Sequence, residues 1–86
     1  MSQANKLIDL VSREILRFDG VSSCQSVKVS EEDELYVVNT DIRVYYGVNI
    51  PQLCYDIQTG LIKRAEDIGG FNVTTINIRV EGIDEE

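Results

Sequence analysis

A chain of 86 residues with 15 acidic and 8 basic side chains carries a net charge of -7 and contains no histidine. Composition therefore excludes imidazole acid–base and histidine-assisted nucleophilic chemistry, and two cysteines are too few for a disulfide framework. The longest uncharged run, Val44 to Tyr55, is far short of the ~20 apolar residues of a membrane span.

The opening segment, MSQANKLIDLVSRE, lacks the apolar centre and cleavage site of a signal peptide, so a cytoplasmic protein is expected. From about Ala4 to Phe18 the spacing predicts a helix, with Ala4, Leu7, Val11, Ile15 and Phe18 on one narrow arc and Lys6, Arg13 and Arg17 on another. Phe18-Asp19-Gly20-Val21 ends it, and a short strand is expected over Gln25 to Ser30. The acidic turn Ser30 to Glu34 reverses the chain into a long strand, giving an antiparallel hairpin. In that strand Tyr36, Val38, Thr40, Ile42, Val44 and Tyr46 form an inward stripe at period two, while Asn39, Asp41 and Arg43 face water.

Gly47 allows a turn, Asn49 or Ile50 caps the next helix, and the fixed φ of Pro51 suits its first turn. Ile50, Leu53, Cys54, Ile57, Leu61, Ala65 and Ile68 give this helix an apolar side for lying on a sheet. Gly69 and Gly70 stop it. The last strand alternates Ile76, Ile78 and Val80 inward with Thr75, Asn77, Arg79 and Glu81 outward. Two parallel strands joined by a helix require a right-handed crossover. The expected fold is α+β, a two-layer sandwich in the order helix, strand, strand, helix, strand. Two helices lie on one face of a three-stranded mixed sheet, and residues 1–86 form one domain.

The segment from Val44 to Ile83 resembles the alkaline shock protein family, the bacterial cell envelope stress response group. The likeness lies in Val44, Tyr46, Gly47, Val48, Ile50, Pro51, Ile57, Gln58, Gly70, Val73, Asn77, Val80, Gly82 and Ile83, and more weakly in Asp19-Gly20-Val21. Gly47, Ile50, Pro51, Gly70 and Asn77 are its fold signature. The chain departs from the usual pattern at Tyr45, where relatives carry Glu, at Ile62, often Lys, and in lacking a Gly- and Lys-rich insert. The resemblance implies a cytoplasmic, non-enzymatic module that acts by self-association or by docking to a protein partner, a membrane-anchored one included. It implies no catalytic residue and no cofactor.

The acidity is local. Glu31, Glu32, Asp33 and Glu34 form one cluster, and Glu81, Asp84, Glu85 and Glu86 another, leaving seven acids against eight basic groups. The topology puts the clusters at opposite ends, so pole-to-pole stacking is disfavoured. Adjacent carboxylates diverge and lack the spaced ligands of a calcium loop, so Glu31 to Glu34 reads as a solvated tip that discourages edge pairing. Cys24 and Cys54 read as packing residues. Lys6, Arg13 and Arg17, with Lys63 and Arg64, form an interrupted basic stripe for phosphate or anionic lipid. A KH-type nucleic-acid-binding domain is the third and lesser reading: the order of elements matches, but the Gly-x-x-Gly loop is missing and few aromatics are placed for base stacking, so nucleic acid is not the expected partner. The candidate interaction residues are Val37 and Tyr45 on the outer sheet face, beside Leu35, and Tyr55 and Ile62 on a flank of the second helix, where packing against the first helix is the plainer alternative. A regulatory subunit docking through that helix to one enzyme or membrane protein is the rival reading.

Overall fold

A computed structural model describes residues 3–85. Helix α1 spans Ala4–Glu14 and tightens into a 3-10 turn over Ile15–Arg17. Strand β1 is Val21–Glu32, β2 is Leu35–Tyr45, helix α2 is Ile50–Gly69 and β3 is Val73–Asp84. The sheet order is β1-β2-β3, with β1 antiparallel and β3 parallel to the central β2. The α+β architecture is the one expected: two helices packed against one face of a three-stranded mixed sheet.

Strand β1 is twice the length of the expected Gln25–Ser30 segment. Its serines and terminal acids hide the strand period, and register shifts between Val21 and Ser23 and between Cys24 and Ser26 break the alternation further. The second shift has a polar consequence inside the sheet. Thr40, 2% exposed, donates its hydroxyl to the Ser26 carbonyl at 2.8 Å, so the one polar residue of the β2 stripe is satisfied. The hairpin turn is only Asp33-Glu34, with φ of 51° and 67°, the doubly left-handed backbone of a tight loop whose twist matches its strands.

Tyr36, Val38, Ile42 and Val44 point inward as expected, but Tyr46 does not. Strand β2 ends at Tyr45, and Tyr46, 77% exposed, sits in the turn beside Gly47, whose φ is 92°. Asn49 is the helix cap, its side chain accepting from the Gln52 N–H at 3.1 Å. Gly70, at φ 70°, closes the other end. Within α2 the buried residues Leu53, Ile57, Leu61 and Ala65 form one i, i+4 row. A helix lying along that ridge drifts away from Ile68, which was expected in the core and is 59% exposed.

The core joins Leu7 and Val11 of α1, Ile15 of the 3-10 turn, Ile57 and Leu61 of α2, and Val38, Ile42 and Val44 of β2. Full burial of each such side chain stabilises the fold by about 1.5–3 kcal/mol. Leu10, outside the expected arc, is also buried, and Phe71 packs its ring edge-on against Tyr36 at 5.5 Å between centroids. The helices meet where Gly60 leaves room for the Phe18 ring. Arg64 lies 4.5 Å over that ring and reaches Glu14, 3.7 Å from Oε1.

Candidate interaction surface

Because both helices occupy one side, no layer among the described residues covers the other face of the sheet. Its middle is polar and internally paired. Asn77 donates to Asn39 at 3.1 Å, and Ser26 donates to Asp41 at 3.1 Å. Nearer the C-terminal end, Arg43 grips Asp84 by two nitrogens: Nε lies 3.1 Å from each carboxylate oxygen and Nη2 2.7 Å from Oδ1. Ser22 donates a further hydrogen bond to Oδ2 at 2.7 Å, so one carboxylate ties all three strands together. Gly82 makes room for this arrangement, because a β-carbon there would overlap the Arg43 guanidinium. The hydrogen bonds from Arg43 and then Ser22 hold the Asp84 carboxyl at about 2, below its usual 3.8, and the same carboxylate raises the Arg43 guanidinium above its ordinary value.

This cluster qualifies the expectation of an acidic tail. The tail does reach the end opposite the hairpin, as Asp84 pairs with Tyr45, but Asp84 is a partnered cross-strand ligand rather than a free surface charge. Glu86 lies outside the described residues.

The structure separates the four candidate residues. Val37 and Tyr45 lie on one strand with Asn39, Asp41 and Arg43 between them, roughly 26 Å apart at strand rise, so they do not form a single apolar patch. Val37 is half-buried beside Leu35, which is 42% exposed. These two floor a shallow groove of about 350 Å³ that Ser30, Glu31, Glu32, Asp33 and Thr74 complete. Tyr45 is half-buried at the far end, next to the exposed Tyr46.

On α2, Tyr55 is 61% exposed while Ile62 is half-buried against the core. The flank of α2 that meets α1 carries Gly60 and Arg64, so packing of Tyr55 and Ile62 against α1 is not what occurs. Their flank turns toward β3, where Gln58 donates to the Ile76 carbonyl at 2.9 Å.

Of the signature residues, Gly47 and Gly70 hold left-handed turns, Ile50 and Pro51 open α2, and Asn77 makes the open-face pair with Asn39. Sequence reasoning passed over the Ser22–Arg43–Asp84 cluster, since its members lie 62 and 41 residues apart from Asp84 and no local pattern links them. It also passed over Leu16, which the 3-10 turn leaves 51% exposed. The basic stripe is divided: Arg64 is engaged over Phe18, and Lys63 pairs with Asp67 at 3.8 Å. Cys54 is half-buried, and burial pushes its thiol pKa up, which disfavours the reactive thiolate. Among the described residues, no group of three or more Cys, Asp or Glu is placed to hold a metal ion, and no helix is long and apolar enough to cross a membrane.

A family model matches residues 4–85, nearly the whole chain. The chain belongs to the alkaline shock protein family. The description of that family is a cell envelope-related function. No curated protein matches the chain in sequence. Among solved structures, the copper form of an Asp-to-His variant of MamM CTD superposes with a TM-score of 0.75 at 11% identity, over 91% of this chain and 95% of that one. A His-to-Glu variant of MamM CTD gives a TM-score of 0.78 at 12% identity, over 95% and 98%. The nickel form of a Glu-to-His variant gives 0.75 at 10%, over 91% and 96%. At such identities the likeness is one of fold, so this member of the alkaline shock protein family shares its two-layer architecture with MamM CTD.

Proposed function

We propose that this chain is a non-enzymatic interaction module in the cytoplasm, serving a cell envelope-related role by self-association or by docking to a protein partner, a membrane-anchored one included. The observation that carries this reading is the sheet face left uncovered by the helices, with apolar side chains at both ends of its polar middle: Leu35 and Val37 at one and Tyr45 at the other, where the exposed Tyr46 follows in the turn. Apolar area in such positions is stabilised when a partner removes it from water, by about 25 cal/mol per Å². Tyr45 stands where family relatives carry Glu, so it adds apolar surface on that face. Tyr55 on α2 offers a second contact of the same kind.

The test is light scattering of the purified chain over a wide concentration range, together with a tagged pull-down from membrane and soluble fractions kept apart. Average mass is expected to rise with concentration, or a stoichiometric partner to be recovered, and Tyr45→Glu to weaken either contact in a chain whose far-ultraviolet dichroism still matches wild type. A chain that stays monomeric at high concentration and recovers nothing from either fraction would end this reading.

A further inference from the structure

We infer that the groove beside the β1–β2 turn receives a second copy of this chain, through Leu16 and its neighbouring arginines. This rests on the reading that the chain works by association, and it names the surface and its occupant.

Two features of the molecule match each other and cannot meet within one copy. The groove has an apolar floor, Leu35 and Val37, and an acidic rim, with Glu32 directly opposite Leu35 across the hairpin and Asp33 at the turn. The other feature is a basic knob. Helix α1 ends in a 3-10 turn that leaves Leu16 51% exposed, with Arg13 one turn before it and Arg17 next to it. The Arg17 side chain is 70% exposed, and Glu14 holds it at a long 3.5 Å.

Helix α1 begins at the hairpin end, where Gln3 shares a depression with Asp33 and Tyr36, and it runs toward the other end, where Val21 pairs with Val44. Knob and groove therefore lie toward opposite ends of a molecule 39 Å long.

Electrostatics favours this contact between two copies. Each copy carries a net charge of -7, so most approaches bring like charges together. Setting Leu16 on Leu35 and Val37 places Arg13 and Arg17 against the rim carboxylates, covering apolar surface and pairing opposite charges in one step. The two surfaces differ, so the contact is head-to-tail: each copy keeps one free groove and one free knob, and copies join in open rows unless the rotation between them closes a ring. The groove is small, so each joint is weak and association depends strongly on concentration.

The experiment is sedimentation of the full chain and of Arg17→Glu, Glu32→Arg and the double variant, at low and moderate salt. Wild type is expected to associate at low salt and to dissociate as screening rises. Each single variant is expected to lose roughly tenfold or more in affinity. The double variant, and an equimolar mixture of the two single variants, are expected to recover it, because reversed charges again face each other. Leu16→Ser, which changes no charge, is expected to weaken association with no rescue by Glu32→Arg. Far-ultraviolet dichroism matching wild type establishes that the variants are folded.

If wild type associates and the single variants associate equally well, the inference fails while the broader function stands. If the single variants weaken association but neither the double variant nor the mixture restores it, the two surfaces do not face each other and the inference also fails. A wild type that remains monomeric but binds a synthetic Leu-Arg peptide in the groove overturns the second copy as occupant, and leaves the groove to a foreign partner.

Discussion

Asp84 shows how one side chain can link distant parts of the chain, and its titration offers a direct reading of that link. Its folded-state carboxyl titrates at about 2 against the ordinary 3.8, so the unfolded chain binds the proton more readily. The resulting stabilisation is fully present above about pH 4 and is lost as pH falls toward 2. Urea midpoints measured from pH 5 to pH 2 are expected to fall less steeply in that window for Asp84→Asn than for wild type. Gly82→Ala is expected to flatten the same region, because the new methyl displaces Arg43 from the carboxylate. Parallel curves for all three proteins would mean that the pair contributes nothing to stability.

Helix α2 shows competition between local preference and packing. Gly60 is a poor residue for a helix interior, and alanine there would ordinarily gain about 0.5–1 kcal/mol. A methyl at this position, however, would lie 2.7 Å from the Phe18 ring, which in turn carries Arg64. Displacing that ring costs about 1–3 kcal/mol, so packing outweighs propensity. Gly60→Ala is therefore expected to lower stability by about 1–2 kcal/mol in urea denaturation, with part of the loss removed when Phe18 is shortened to Leu. An increase in stability would show that the α1–α2 contact is looser than its geometry implies. The same contact explains why Tyr55 and Ile62 are turned away from α1.

Across the molecule, charge is divided rather than spread. Four carboxylates crowd the hairpin end and Glu81 and Glu85 stand near the other, while Asp84 is neutralised by Arg43. Repulsion within each cluster opposes compaction, and the exposed ion pairs return little. Added sodium chloride is expected to raise the thermal midpoint by about 2–4 °C between low and physiological ionic strength, at concentrations where the chain is monomeric. A falling midpoint would mean that attractive pairs such as Arg43–Asp84 and Arg64–Glu14 outweigh the repulsion. The same imbalance bears on how copies approach, since a contact that sets the α1 arginines against carboxylates escapes the general repulsion.

Much of the architecture could be read from residue order. Alternation in β2 and β3, the i, i+4 row of α2, the cap at Asn49 and the stop at Gly70 are written within short windows, because backbone sterics and the two faces of each element act locally. Leu35, Val37 and Tyr45 could be assigned to the outer face for the same reason. Other features depended on partners far along the chain. β1 extends to twelve residues only because β2 offers a ladder to pair with, Tyr46 leaves the inward stripe because the strand ends one residue earlier, and Ile68 falls off a ridge whose direction depends on how α2 crosses the sheet. The separation of Val37 from Tyr45 by paired polar side chains, the grip of Arg43 on Asp84 over Gly82, and the placing of Leu16 and the Leu35 groove at opposite ends were likewise settled by tertiary structure. Such relations depend on distances between residues remote in sequence, and no local period records them.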